Sequence, residues 1–177
     1  MTTPPDAHLW PERTTVTDGA WALDGLHMET IAHQFGTPSF VLDVATLRRR
    51  ARRYRQALTG AFASLGIDVD VYYASKAFSS IAVLSWLHAE GMGVDVASLG
   101  ELTTALRAEV PPARLGLHGN NKSEAELDLA VRSGVGRIIV DALTEIDRLG
   151  AIAAAHRVRQ DVLVRITTGV HACGHDF

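Results

Sequence analysis

The stretch Val71-Tyr72-Tyr73-Ala74-Ser75-Lys76-Ala77 is a run of aromatic, small and β-branched residues that ends on a lysine. Such a run suits a buried strand, and a helical segment follows from Ile81 to Ala89. In parallel α/β proteins the carboxyl ends of the strands carry the chemistry. A lysine held there, partly desolvated by Tyr72 and Tyr73, is expected to lose its proton and attack a carbonyl as a neutral amine. The competing reading is a lysine that extends from a strand end into water with no chemical task.

Other polar residues recur at equivalent places. Asp95 lies in the next apolar segment, with Ser98 and Glu101 just beyond it. His118, Asn120, Asn121 and Lys122 follow a third segment, Asp141 follows a fourth, and Arg165 ends a fifth. Polar residues gathered past one end of successive strands are what a barrel rim requires. Each also has a structural reading. Asp95 and Asp141 suit helix caps, Asp141 the more so. Ser123-Glu124-Ala125-Glu126 has the pattern of a capping box. Glu101 sits where a carboxylate favours the helix dipole. Arg165 interrupts an apolar strand and calls for either an anion or a neighbouring carboxylate. His118, beside the turn Gly119-Asn120-Asn121, is poorly placed for a core histidine.

The elements that position these residues can be read in order. Residues 1–25 read as irregular, with Trp10 and Trp21 as anchors. A helix over Met28–Phe35 stops at Gly36. Pro38 forces an extended entry to a strand over Ser39–Leu42, and Asp43 caps a helix to about Leu58 that Gly60 closes. Five strands then alternate with four helices. The strands cover Asp70–Ser75, Gly93–Ala97, Arg114–His118, Gly136–Val140 and Asp161–Ile166. The helices cover Ser79–Ala89, Gly100–Ala108, Ser123–Ser133 and Thr144–Val158. This alternation predicts an α/β fold with a parallel sheet and right-handed crossovers. No Gly-x-Gly-x-x-Gly follows the first strand, which favours a TIM-type β/α barrel over a dinucleotide-binding sheet.

Composition narrows the function. The 177 residues carry 17 Lys plus Arg against 20 Asp plus Glu, a net charge of −3, which argues against a nucleic-acid binder. The arginines from Arg48 to Arg55 sit among apolar residues at helical spacing and read as a solvated helix face. One cysteine, Cys173, leaves no internal disulfide and suits the cytoplasm, and no apolar run is long enough to span a bilayer. The tract His171, Cys173, His175, Asp176 has alternating spacing but no second ligand pair, so no metal is expected.

Taken together, Tyr73-Ala74-Ser75-Lys76-Ala77, Gly93-Val94-Asp95-Val96-Ala97-Ser98 with Gly100-Glu101-Leu102, and His118-Gly119-Asn120-Asn121-Lys122-Ser123 resemble the diaminopimelate decarboxylase family. So do Gly36-Thr37-Pro38 and Val164-Arg165-Ile166 with Gly169-Val170. The resemblance runs from about Gly25 to Phe177 and implies a pyridoxal 5'-phosphate enzyme on an alanine-racemase-like barrel. It implies that Lys76 holds the cofactor covalently, with Asp95 and Glu101 close by and Arg165 near the cofactor's phenolic oxygen. His118 joins them as a cofactor-binding candidate. The implied substrate is a small amino acid, and the implied partner is a second copy sharing the active site or a complementing carboxy-terminal half.

The departures are as specific. Five strands follow where a barrel has eight. The family's cofactor-stacking histidine, glycine-rich phosphate loop, pyridine-pairing acid and trailing β-domain have no counterpart. Gly174 stands where the family usually has threonine. The expected organisation is therefore an N-terminal segment over residues 1–35 and an incomplete barrel over residues 36–177, with an uncovered apolar interior. The expected activity is that of a fragment inactive alone. The alternatives are a non-catalytic cofactor-binding module and a structural remnant.

Overall fold

The computed structural model describes Pro4 and residues 6–169, which fall into two compact units, Met1–Tyr54 and Arg55–Phe177. In the first unit, β1 (Thr14–Thr17), β2 (Ala20–Leu23) and β3 (Leu26–His27) form an antiparallel sheet in that order. Two Asp-Gly pairs make it. Asp18-Gly19 has φ of 50° and 80°, and Asp24-Gly25 has φ of 52° and 81°. Consecutive left-handed residues give the turn whose twist matches the flanking strands, and Asp-Gly adopts it readily. The expectation of an irregular start is thus corrected, and the two Asp-Gly pairs were its sequence signal. Trp10 and Trp21 do meet, with ring centroids 4.7 Å apart.

Helix α1 (Met28–Phe35) ends at Gly36 as expected. The strand expected over Ser39–Leu42 does not form. Among the described residues no strand lies beside it, and Phe40, Val41 and Leu42 are exposed. Helix α2 (Val44–Ala63) starts where Asp43 accepts hydrogen bonds from the backbone N–H of Ala45 at 3.0 Å and of Thr46 at 3.3 Å. It runs through Gly60 rather than stopping there, a tolerated cost of about 1 kcal/mol for one helical glycine. Arg50, Arg52, Arg53 and Arg55 are exposed along α2, as a solvated face requires.

The second unit alternates β4 (Tyr72–Ala74), α3 (Ile81–Ala89), β5 (Gly93–Val96), α4 (Leu99–Arg107), β6 (Leu115–Leu117), α5 (Glu124–Ser133), β7 (Arg137–Val140), α6 (Leu143–His156) and β8 (Val162–Val164). All five strands are parallel, and their spatial order is their chain order. A doubly wound sheet reverses its order at a switch point, whereas this one never does. Right-handed crossovers in one direction put every helix on one face and curl the sheet as a barrel wall. The partial barrel expected from the sequence is the fold observed.

The two faces of that wall differ. On the helix side Val94, Val96 and Leu117 pack with Leu84, Leu102 and Leu127, all 0% exposed. Alternate residues point the other way. There the Tyr72 ring lies over Gly93, where a Cβ would come within 2.6 Å of it. The guanidinium groups of Arg137 and Arg114 stand 5.1 and 5.8 Å from the Tyr72 ring centre. Both arginines also pair with Asp70. The inner face thus mixes these charged groups with apolar residues such as Ala74, Ile139 and Leu163, the last 51% exposed.

Candidate functional site

Ser75-Lys76-Ala77 forms one tight turn past the end of β4. Ser75 is 1% exposed, and its hydroxyl donates to Glu101 Oε2 at 2.6 Å. Glu101 is the third residue of α4, and the same oxygen accepts the Ala97 N–H at 2.8 Å. A carboxylate at a helix start is favoured by the dipole, and this one also ties the β5–α4 loop to the turn bearing Lys76. Lys76 itself is exposed, and no hydrogen bond or ion pair reaches its amine among the described residues. The expected desolvation by two tyrosines is not found. Tyr72 lies over Gly93, and the Tyr73 hydroxyl donates to the Phe78 carbonyl at 2.9 Å. The strand's alternation sends the two rings to opposite faces of the sheet, and neither lines the cavity with Lys76.

Asp95 points from β5 to the inner face, where a Cβ at Gly116 of the neighbouring strand would meet its Oδ1 at 2.5 Å. Glycine on β6 makes the room for that carboxylate. His118 Nε2 stands 3.4 Å from Asp95 Oδ1. Burial pushes the Asp95 carboxyl up, while His118 and the Arg137 charge pull it back down. His118 is exposed at the end of β6, anchored where its N–H donates to the Val96 carbonyl at 2.7 Å.

Past β8, the Arg165 N–H donates to the Val140 carbonyl at 2.9 Å, and its guanidinium donates to Asp141 Oδ1 at 3.0 Å. The neighbouring carboxylate is thus Arg165's partner. Asp141 is not the cap expected of it. The residue before α6 is Ala142, which makes no side-chain cap, and the Asp141 N–H donates to Glu145 Oε2 at 3.0 Å. Ser123 and Glu126 do form the reciprocal capping box of α5.

These side chains converge. A cavity of about 690 Å³ is lined by Lys76, Asp95, Glu101, His118, Asp141 and Arg165. That volume is in the range of small-molecule sites, ~300–1,000 Å³. All five residues singled out from the sequence line it.

Ser98, Asn120, Asn121 and Lys122, the other rim residues named from the sequence, do not line the cavity, and Lys122 is buried. Its side chain is 1% exposed and is paired with Glu145 Oε1 at 2.8 Å. Glu145 and Ser75 are the residues the sequence reading passed over. Glu145 had a signal. It is the third residue of its helix, as are Glu101 and Glu126. Nothing in the linear sequence marks Lys122 as its partner. The tract His171 to Asp176 lies outside the described residues.

Residues 44–177 match the family described as pyridoxal-dependent decarboxylase, pyridoxal binding domain. A diaminopimelate decarboxylase of Mycobacterium tuberculosis is 44% identical over 171 residues, 96% of this chain and 37% of that protein. One from Bacillus subtilis is 43% identical over 159 residues, 90% of this chain and 35% of that protein. Among solved structures, diaminopimelate decarboxylase from M. jannaschii superposes with a TM-score of 0.86 at 27% identity, over 93% of this chain and 38% of that one. The chain spans little more than a third of the length of these relatives. No helix among the described residues is long and apolar enough to cross a membrane.

Proposed function

We propose that this chain, which belongs to the pyridoxal-dependent decarboxylase family, supplies the lysine-bearing side of a diaminopimelate decarboxylase active site. The reaction would convert meso-2,6-diaminopimelate into L-lysine and carbon dioxide. The observation that carries the reading is the amine of Lys76, unpartnered among the described residues, on a cavity shared with Asp95, Glu101, His118 and Arg165.

The residues fit pyridoxal 5'-phosphate. The cavity has the volume for a small aromatic ring with its phosphate, and a free amine beside carboxylates and a guanidinium is the donor set such a group needs. When bound, the cofactor supplies the electron sink for the carbanion left as carbon dioxide departs. Lys76 would bond to its aldehyde carbon. Glu101 holds Ser75, and through it the turn from which Lys76 projects. Asp95 Oδ1 and His118 Nε2 stand 3.4 Å apart, so the carboxylate orients the imidazole beside the cavity. Arg165, its guanidinium held by Asp141, would offer a cation to the bound cofactor's phenolic oxygen.

The amino-acid substrate would enter at this rim. The remaining walls would come from a second copy or a complementing carboxy-terminal half, in the cytoplasm that a single cysteine suits. The test is a borohydride trap. The purified chain is mixed with pyridoxal phosphate, reduced, digested and mapped by mass spectrometry. Stoichiometric label on Lys76, absent from Lys76→Ala, is the expected result. No label on Lys76 overturns the reading. Label on Lys76 with no carbon dioxide released from diaminopimelate, even with a complementing half present, would leave a binding module in place of an enzyme.

A further inference from the structure

The chain contains two lysines, Lys76 and Lys122, and both follow strands at the same rim. We propose that Lys122 is a positioning residue, locked by Glu145 and two carbonyls, which fixes the loops that present His118 and Asp141 to the cavity. The proposal rests on the reading of Lys76 as the cofactor lysine.

A charged lysine carries three donors and no acceptor. Here two donors go to carbonyls and a carboxylate stands beside the amine. Lys122 Nζ donates to the Gly119 carbonyl at 2.6 Å and the Ile139 carbonyl at 2.7 Å, and it pairs with Glu145 Oε1 at 2.8 Å. Buried and paired with Glu145, this amine has no open approach for an incoming carbonyl. The cage also spans three elements. Gly119 belongs to the turn after β6 and takes φ of 127°, a conformation open to glycine, with the Lys122 side chain packed against it. Ile139 lies in β7. Glu145 lies in α6, and its other oxygen accepts the Asp141 N–H. From one turn further along α6, Arg148 donates to the Lys122 carbonyl at 3.2 Å.

The consequences reach the cavity on two sides. Gly119 follows His118, so holding its carbonyl sets the direction of the His118 side chain. Glu145 holds Asp141, which holds Arg165. Removing the Lys122 amine would release both walls by changing a residue that does not itself line the cavity.

Two measurements decide the matter. The first is acetylation of the native chain by an N-hydroxysuccinimide ester, which needs no cofactor. Lys76 should react freely. Lys122 should react roughly a hundredfold more slowly, because only local opening exposes it, and should match Lys76 in denaturant. Equal native rates would overturn the cage. The second is the double variant Lys122→Met/Glu145→Gln, which removes both charges and keeps an acceptor for the Asp141 N–H. Hydrogen exchange over His118–Asn121 should quicken, and retention of pyridoxal phosphate should fall roughly tenfold, the scale of lost supporting contacts. Its thermal midpoint should stay near that of the parent. Unchanged loop exchange would overturn the positioning role. Failure of the parent itself to retain pyridoxal phosphate would instead overturn the proposed function, leaving acetylation and loop exchange to judge Lys122.

Discussion

The turn after β4 and the loop after β6 each carry a lysine, and the two are built in opposite ways. Around Lys76 the backbone is pinned while the amine is left alone. Ser75 is buried and bonded to Glu101, yet the next side chain reaches an open cavity. Around Lys122 the amine itself is the pin, with a carboxylate and two carbonyls closing over it. A reactive amine needs a fixed base and a free tip, whereas a structural one needs its tip consumed. Residue type alone does not distinguish them, and burial with partners does.

The largest expected effect breaks this comparison outright. Glu145→Ala leaves Lys122 buried with no counter-charge, and breaking a buried pair costs about 3–5 kcal/mol. Lys76→Met removes an exposed, unpartnered amine and should stay within about 0.5 kcal/mol of the parent. Urea unfolding of the two variants gives the contrast directly. Similar losses in both would mean that Lys76 is also held, and that the two turns are alike.

A smaller change sharpens the Lys76 side. Ser75→Ala removes the hydroxyl from Glu101 Oε2 but leaves that oxygen the Ala97 N–H. The stability loss should be about 1.5–3 kcal/mol, as for one buried hydrogen bond to a charged group. Borohydride labelling of Lys76 should slow in Ser75→Ala, because the base of its side chain is no longer fixed. Labelling at the parent rate would show that the Glu101 bridge serves the fold alone.

Much of this was legible in sequence, for identifiable reasons. The parallel wall could be read because five apolar segments alternate with helical ones, and the rim because the polar residues cluster past the strand ends. The five candidate residues line one cavity because the parallel topology brings the strand ends to one rim. Three kinds of error have physical causes. The Asp-Gly hairpins were passed over because their strands are short and rich in threonine and alanine, although the turns were explicit. The strand over Ser39–Leu42 was expected from propensity, which cannot supply a neighbour to pair with. Lys122 and Glu145 lie 23 positions apart on different elements, and no local pattern joins them. The tyrosines beside Lys76 were misjudged for a simpler reason. A strand's alternation decides which way a ring faces, and adjacency in sequence does not.

The smallest expected effect concerns the carboxylate between the two lysine turns. Burial on the inner face raises the Asp95 carboxyl above its ordinary value of 3.8, against the opposing pull of His118 and Arg137. A raised carboxyl binds its proton more tightly folded than unfolded. Between 3.8 and the raised folded value the native state therefore holds the extra proton, and stability falls as pH rises through that window. Above it the cost of the buried charge is fully present. Asp95→Asn removes that cost, so the variant should be more stable than the parent at neutral pH, with the gain shrinking as pH falls and gone below about 3.8. Thermal midpoints of parent and variant across this range give the sign. If Asp95→Asn were instead less stable at neutral pH, the His118 and Arg137 contacts would outweigh burial. Asp95 would then belong with Glu145 as a structural partner, on the Lys122 side of the comparison.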